Sequence, residues 1–458
     1  MIEKDIEKGI YFSKIGAIFG TASLFLIGDL FFTAYAIFLG LPNYQIGLVS
    51  SFAITVNISN LLSLWLVERL NARKKLVVFS TFLANLFLIP LLFLSFIDFQ
   101  DVRLVAIILV VTTSNFFMAI ANPAFGSWLV DLIPDSIRGK YFGIRNMLAG
   151  LIGVIFIMLA GRFLDMWPKD SPYGFIILFS VAIIFGFINA IMISKMPEIT
   201  PKSNVNSVRD QKSYGMNVKT KIDFIELVRA PFTNKIFKNL IIFRCFLQFS
   251  TVIVGVFISV YLLRELKWDY STVALFGVIG NIFLFLPQKW WGIVSDKLSN
   301  KPIIYIGLVG ITLLPLVFLI TESVVFYIIA VALCSLGWAA ITIGETNILF
   351  RTAKGEHSIS YISIYSVLIS LSQAFGTLIG SLIINFISFK VLFIISFVLR
   401  LLSFLFVKNI YEPQKTDIMG AVIIFRKAII SDIIEGGHHL IHYVLLPVEI
   451  IKKKGFHI

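Results

Sequence analysis

Residues 173–194 have the sequence YGFIILFSVAIIFGFINAIMIS, which contains no charged side chain. A helix rises about 1.5 Å per residue, so this stretch is long enough to cross a hydrocarbon layer about 30 Å thick. Similar apolar stretches, separated by short polar breaks, fill the chain from Lys14 to Ile410. The chain is 58% hydrophobic and only 14% charged, whereas soluble domains are about one quarter charged. The sequence therefore predicts an all-α integral membrane protein.

We predict twelve transmembrane helices, because lipid requires each spanning segment to satisfy its own backbone hydrogen bonds. Their ranges are 15–39, 44–67, 76–97, 104–130, 141–165, 173–194, 239–263, 271–295, 302–320, 324–349, 359–385 and 388–408.

Lysine and arginine are concentrated on one side of these spans. That side holds Arg69, Arg73, Lys74, Lys75, Arg138, Lys140, Lys297, Lys301, Arg351 and Lys354, and the 195–238 connection. Cytoplasmic loops carry this excess, so we expect a plasma-membrane protein with both termini cytoplasmic. The net charge of +13 then reflects this bias and attraction to membrane lipids. The charge is spread over short loops, which argues against a nucleic-acid partner.

A polar segment at 196–237 divides the chain into two halves of six spans each. The predicted units are 1–195, this linker, a second bundle at 238–410, and a tail at 411–458. The halves repeat weakly: each has a charged turn after its second span, ERLNARK at 68–74 and DKLSNKP at 296–302.

These turns resemble the signature between helices 2 and 3 of the major facilitator superfamily. The better copy begins at Gly292 and continues through Asp296 to Lys301, while the first copy has Glu68 in place of the aspartate. The stretches WLVDLIP at 128–134 and RGKYFGIRN at 138–146 are similar to the loop between helices 4 and 5 of that family. The resemblance implies two pseudo-symmetric six-helix bundles and transport by alternating access, with a binding site between the bundles.

We predict that Glu68 and Asp296 are acids of a cytoplasmic gate. Acids and bases at helix ends can pair across neighbouring helices and hold that face shut. Candidate partners are Arg138, Arg145 and Arg351. The same turns and loop supply the other gate candidates, which are Arg69, Arg73, Asp131, Gly292, Lys297 and Lys301. The alternative is that these charges only set the orientation in the membrane.

Ionisable groups within spans usually face a cavity or a partner, because each costs at least ~2.5–3.5 kcal/mol near the bilayer centre. Asp29 lies near the middle of span 1 without a base at its depth in the first half. It is our candidate for the proton or substrate site, and a structural polar contact is the alternative. Arg244 and Glu345 have matching depths in spans 7 and 10, which line the cavity in the family. They predict an ion pair or a shared substrate site. Arg400 we interpret as structural.

Amide side chains within the spans could add substrate contacts. They are Asn57, Asn60, Asn115, Asn122, Gln248 and Gln373. Hydrogen bonds between helices are an equally good interpretation of each.

The tail after Tyr411 is too charged to span, and we predict a helix lying in the inner interface. Glu435, His438, His439 and His442 have a spacing that could bind a metal. A Gly436-Gly437 break precedes the histidines and no second ligand cluster is apparent. We therefore predict no metal and no cofactor.

The function that we expect is secondary active transport of a small solute. The sequence has no phosphate-binding loop, so we expect proton coupling rather than ATP, with export favoured. The partners would be a small-molecule substrate, protons and lipids, and the protein a monomer. An enzyme is disfavoured because the spans contain no histidine and their acids are far apart. A sensor or scaffold that kept the fold is the alternative.

Overall fold

The computed structural model describes residues 2–70, 72–198, 229, 231–353, 358–412 and 417–445. These residues form helices and connecting turns, with no strand among them. The helices of the first half are α1 Ile2–Ile27, α2 Asp29–Phe38, α3 Asn43–Thr55, α4 Asn60–Leu70, α5 Arg73–Leu86, α6 Gln100–Leu132, α7 Asp135–Asp165 and α8 Tyr173–Ser194. Those of the second half are α9 Lys235–Val260, α10 Tyr270–Phe285, α11 Gln288–Lys297, α12 Asn300–Ile320, α13 Val324–Thr352, α14 Ser358–Ile383 and α15 Phe389–Lys408. The tail forms α16, Ile418–Leu445.

Within the described residues, 11 helical stretches are long and apolar enough to cross a membrane. The predicted span at 44–67 is not among them. It consists of α3, a 3-10 segment at Val56–Ser59, and α4. The polar side chains of Asn57 and Asn60 lie at this interruption, so the segment is helical but does not form one apolar run.

Four other predicted spans are interrupted as well. Span 1 begins earlier than predicted and breaks at Gly28, between α1 and α2. Span 3 changes to a 3-10 helix at Ile89–Phe96, and span 7 ends in a π-helical turn at Tyr261–Glu265. Span 8 breaks between α10 and α11 beside Pro287. Such breaks are tolerated in membranes where the freed backbone groups face protein or a cavity.

The helices pack as two bundles joined along two seams. In the first bundle α1 packs along α8 and α5 along α6, and in the second α12 packs along α13 and α9 along α14. The seams between the bundles are formed by α3 with α14 and by α7 with α10. Glycines permit the closest approaches: a methyl group at Gly337 of α13 would collide with the carbonyl of Gly307 of α12.

We name the two ends of the molecule by the chain termini. The termini face holds the starts of α1 and α9 and the end of α15, and the opposite face is the other end. Gly40 (φ +78°) and Lys267 (φ +54°) are the described residues with positive φ. They follow the first membrane-crossing segment of the first and second bundle respectively, both at the opposite face. A shared backbone turn at these positions agrees with the internal repeat.

The tail helix α16 lies against α11 in the second bundle. The Phe425 ring stacks on Trp291 with centroids 4.0 Å apart. The carboxylate of Asp432 accepts hydrogen bonds from Lys289 Nζ at 2.7 Å and from Trp290 Nε1 at 2.9 Å. The outward side of the helix exposes apolar residues such as Met419 and Ile423. This is the arrangement of an interfacial helix.

Candidate functional site

A cavity of about 440 Å³ lies between the two bundles. Helices α1, α2, α3, α5, α6 and α8 line it from the first bundle, and α9 and α14 from the second. Its polar lining residues are Ser23, Asp29, Ser50, Thr81, Asn85, Ser114, Asn115, Asn189, Gln373 and Thr377. Asp29 is the one charged residue among the described residues that line it.

The break at Gly28 places Asp29 in this cavity. Gly28 has an extended conformation (φ −58°, ψ 173°), and Asp29 is the first residue of α2. The Asp29 side chain is exposed and lines the cavity wall. The first turn of a helix carries free N–H groups and a partial positive charge, which favour a carboxylate nearby. The helix end therefore provides electrostatic support to an acid that has no base among the described cavity residues.

Asn85 and Asn189 also line the cavity, although neither was predicted from the sequence. Asn85 Nδ2 donates to the carbonyl of Thr81 at 2.7 Å, and its amide packs directly on Gly186. The Asn189 amide packs on Gly16 and Gly20 of α1. The missing side chains of these glycines make room for both amides. In the sequence these contacts leave only the glycines Gly16, Gly20 and Gly186 as a trace. Without the three-dimensional fold, a glycine in one helix cannot be matched to an asparagine in another.

The structure separates the predicted substrate residues into three groups. Asp29, Asn115 and Gln373 line the cavity. Arg244, Gln248 and Glu345 form a separate cluster. The remaining amides, which are Asn57, Asn60 and Asn122, are not among the described residues that line the cavity.

Arg244 and Glu345 form a largely buried ion pair, with Nε 2.7 Å from Oε2. Arg244 Nη1 also donates to Gln248 Oε1 at 2.6 Å, and its guanidinium lies 5.0 Å from the centre of the Trp338 ring. Val252 of the same helix lines the cavity, so Arg244 lies about 12 Å nearer the termini face. The pair joins α9 to α13 and leaves no net charge in that part of the bundle.

Charged groups at the termini face pair within each bundle. Arg73 forms an ion pair with Asp131 in the first bundle. In the second, Arg351 Nη2 lies 3.0 Å from Glu412 Oε1, and the Glu412 side chain is only 1% exposed. Glu412 also accepts hydrogen bonds from Asn300 Nδ2 and from the Lys301 backbone N–H, both at 2.9 Å. Glu412 was not predicted, because it follows the last span and lies outside any motif.

The remaining gate candidates differ in their exposure and in their contacts. Asp296 and Lys297 are exposed, and Asp296 has no polar partner within the described part of the chain. A Cβ at Gly292 would meet nothing within 4 Å. Lys301 Nζ donates to the carbonyl of Lys408 at 2.9 Å. The Arg145 guanidinium lies 5.8 Å from the centre of the Phe125 ring. Arg69 is exposed, and the side chains of Glu68 and Arg138 lie outside the described residues. So do the side chains of Glu435, His438, His439 and His442.

Polar contacts between the bundles occur at the opposite face and towards the middle of the membrane. Arg264 donates to the side chain of Asn43 and, at 2.8 Å, to the carbonyl of Leu41. Asp165 accepts hydrogen bonds from the backbone of α10. Nearer the middle, Ser51 Oγ donates to the Ala374 carbonyl at 3.1 Å. The inter-bundle hydrogen bonds of Arg264, Asp165 and Ser51 thus lie at the opposite face or near the middle of the membrane. The molecule is therefore closed at the opposite face.

A family model described as Major Facilitator Superfamily matches residues 15–344 and 288–422. The fold is similar to that of a D-xylose–proton symporter, with a TM-score of 0.69, 13% identity, and coverage of 90% of this chain and 99% of that one. A mutant form of the nucleoside transporter NupG has a TM-score of 0.67, 12% identity, and coverage of 88% and 100%. The inward-open xylose transporter XylE from E. coli has a TM-score of 0.64, 12% identity, and coverage of 92% and 99%.

A search of curated protein sequences finds no match. At these identities the solved structures show the fold alone, while the family model covers most of the chain and both bundles. The protein is a multi-pass membrane transporter rather than an enzyme, and it belongs to the Major Facilitator Superfamily.

Proposed function

We propose that the protein is a proton-coupled secondary transporter of a small polar solute. Asp29 carries the coupling proton. The observation that supports this is the position of Asp29, exposed in a cavity shared by both bundles and located at a helix break. A carboxylate there can exchange a proton with whichever face the cavity is open to, and its charge then changes the affinity of the same cavity for a solute.

The lining of the cavity favours a neutral or cationic solute. Its hydrogen-bonding groups are amides and hydroxyls, and the described lining residues include Asp29 but no lysine, arginine or histidine. An anion would meet a negative charge without a compensating base, unless Asp29 were protonated first. Amides such as Asn85 and Asn189 can both donate and accept, so they suit solutes with several hydroxyl or amine groups.

The proposed orientation follows the positive charges. The termini face is cytoplasmic, the membrane is the plasma membrane, and the protein works as a monomer. We take export as the direction of transport. In the state described here the cavity is closed to the outside, and the next step is a rotation of the bundles that opens the Arg264 and Asp165 contacts.

The test is transport by the purified protein in proteoliposomes with an imposed pH gradient. The probes are a panel of neutral, cationic and anionic polar solutes. Asp29→Asn should abolish gradient-driven movement while solute exchange without a gradient can persist, because Asn keeps the volume of Asp but cannot carry the proton. Asp101→Asn removes an exposed acid at the opposite face and is the matched control.

Gradient-driven transport by the Asn variant would contradict the assignment of Asp29. Glu345 would then be the acid to examine, although Arg244 pairs with it. If no solute of the panel moves under any gradient, the sensor or scaffold alternative is favoured.

A further inference from the structure

The helix start of α10 at the opposite face is capped by the other bundle. Asp165, the last residue of α7, accepts a hydrogen bond from the Tyr270 N–H at 2.8 Å through Oδ1. Its Oδ2 accepts from the Ser271 N–H at 2.9 Å. A carboxylate at a helix start satisfies free N–H groups and interacts favourably with the helix dipole. One side chain thus stabilises a helix of the second bundle from the first.

The helix has a capping residue of its own, which it does not use. Asp269 occupies the N-cap position with the extended backbone (φ −68°, ψ 154°) that this position requires, yet its side chain makes no capping hydrogen bond. Its carboxylate lies 3.8 Å from Lys169 Nζ of the first bundle instead. Both side chains of that pair are mostly exposed, at 73% and 64%. Two aspartates are therefore available for a single helix end.

The contact between α7 and α10 is tight below this cap. A Cβ at Gly161, one turn before Asp165, would lie 2.8 Å from the Ala274 side chain and 2.9 Å from Ser271 Cα. Opening of the opposite face must separate these helices, because they form one of the two seams between the bundles. Asp165 is then withdrawn from α10 with its own helix.

We propose that α10 exchanges its cap during transport. Asp165 caps the helix while the opposite face is closed, and Asp269 caps it once that face has opened. The exchange keeps the N–H groups of α10 satisfied in both states, so neither state carries the cost of a bare helix end. Asp165 and Asp269 are positioning residues that set the ratio of the two states. This inference rests on the alternating access of the proposed function, but not on its coupling ion.

The test is the distribution of distances between spin labels on the two bundles. Labels at Tyr173 and Phe386, both exposed at the opposite face, are introduced with Cys245 and Cys334 replaced by alanine. The full chain is measured in lipid nanodiscs without a solute. Asp165→Ala should increase the open-to-closed ratio at this face by at most about fivefold, since an N-cap is worth about 1 kcal/mol and Asp269 can take over part of the capping. Asp269→Ala should decrease the ratio by a similar factor.

Two further variants separate capping from other effects. Lys169→Gln removes the exposed ion pair but leaves both caps, so the ratio should stay within about twofold of the original. Asp165→Asn keeps one acceptor oxygen and should give a shift between those of the parent and Asp165→Ala. Melting temperatures of all variants report whether the fold is retained.

Shifts of Asp165→Ala and Asp269→Ala in the same direction would overturn the exchange, and so would an unchanged distribution in both. A shift in Lys169→Gln equal to that in Asp269→Ala would assign the effect to the ion pair and would also overturn it. The readout needs neither a proton gradient nor a solute. If the transport assay fails while the label distances still shift as expected, the proposed function is contradicted and the cap exchange is not.

Discussion

Arg400 lies buried in the second bundle, where its guanidinium replaces a backbone hydrogen bond that is missing from the neighbouring helix α12. Its Nη1 donates a 2.6 Å hydrogen bond to the carbonyl of Ile311. Four residues later, Pro315 stands inside α12 and lacks the N–H that this carbonyl would otherwise accept. The guanidinium thus replaces the missing helical hydrogen bond, which agrees with the structural interpretation of Arg400.

We expect Arg400→Met to destabilise the protein by about 1–3 kcal/mol, because the Ile311 carbonyl would be left without a donor. In a Pro315→Ala background the restored N–H can satisfy this carbonyl, so the same substitution should cost clearly less. Chemical unfolding of the four variants in detergent measures the difference as a double-mutant cycle. Equal costs in both backgrounds would show that Arg400 acts by packing alone.

At the scale of single residues, the sequence identified the charged side chains that are rare within membrane spans. Asp29 was selected because a charge in a span is costly, and the structure places it in the cavity. Arg244 and Glu345 were expected to meet because their depths match, and they do. Asn85 and Asn189 were missed because their positions depend on glycines in other helices. In the sequence, these two asparagines look the same as every other amide in the spans.

The tail helix shows how an element can be held by a few side chains. Hydrogen bonds from Lys289 and Trp290 lower the pKa of Asp432 below its usual range. Because the pKa of Asp432 is lower in the docked tail than in the free tail, the ionised Asp432 carboxylate stabilises docking at neutral pH. This stabilisation decreases once the pH falls below the ordinary aspartate value of about 3.9 and is lost at the docked pKa.

We expect Asp432→Asn to weaken docking of α16 at neutral pH and to remove its dependence on acidic pH. Phe425→Ala should weaken docking further, because it removes the ring stacked on Trp291. Hydrogen exchange of residues 418–432 in nanodiscs measures both effects. Lys427→Arg, at an exposed position of the same helix, keeps the charge and is the control, and it should leave exchange unchanged. Equal protection in all four proteins would mean that the lipid alone holds the tail.

At the scale of elements, hydropathy predicted the helices but not their interruptions. A window of about twenty residues averages over a single Gly28 or Pro287, so each broken span was predicted as continuous. The interruptions matter because one of them gives Asp29 its position at a helix start. The tail helix was predicted from a broad apolar face mixed with charges such as Arg426 and Lys427. Its contact with Trp291 could be found only from the packed bundle.

At the scale of the whole molecule, the topology remains a prediction. Single cysteines at Ser203 and Ser171, in a background without Cys245 and Cys334, should react with impermeant reagents from the inside and the outside respectively. The reason is the lysine and arginine bias, which places the 196–237 linker on the cytoplasmic side. Labelling of whole cells and of inverted vesicles makes the comparison. The reversed pattern would exclude this orientation.

The gate role that we predict for Asp296 concerns the state in which the termini face is closed. We expect Asp296→Asn to shift the population further towards the form that is open at this face, because a closing contact is lost while this open form does not use it. Distances between labels at Lys75 and Tyr411, both exposed, report the shift. Glu198→Gln removes an exposed acid of the same face and is the control. An unchanged distribution with normal transport would show that Asp296 serves orientation alone.

The apolar stretches and the central polar linker were enough to predict spanning helices in two halves, since lipid allows few alternatives to a spanning helix. The resemblance to the superfamily implied the two bundles. Which face is closed could not be predicted. That depends on contacts such as Arg264 with Leu41, which join residues far apart in the chain.

The position of Glu412 has a consequence for the biosynthesis of the protein. Its carboxylate accepts hydrogen bonds from Asn300 and Lys301, which precede it by 112 and 111 residues. The ribosome therefore synthesises the start of α12 long before it adds Glu412. Until Glu412 has been synthesised, the second bundle lacks these hydrogen bonds, whereas the first bundle is complete. Nascent chains that stop short of Glu412 would carry every spanning segment and still leave Asn300, the Lys301 N–H and Arg351 without this carboxylate partner.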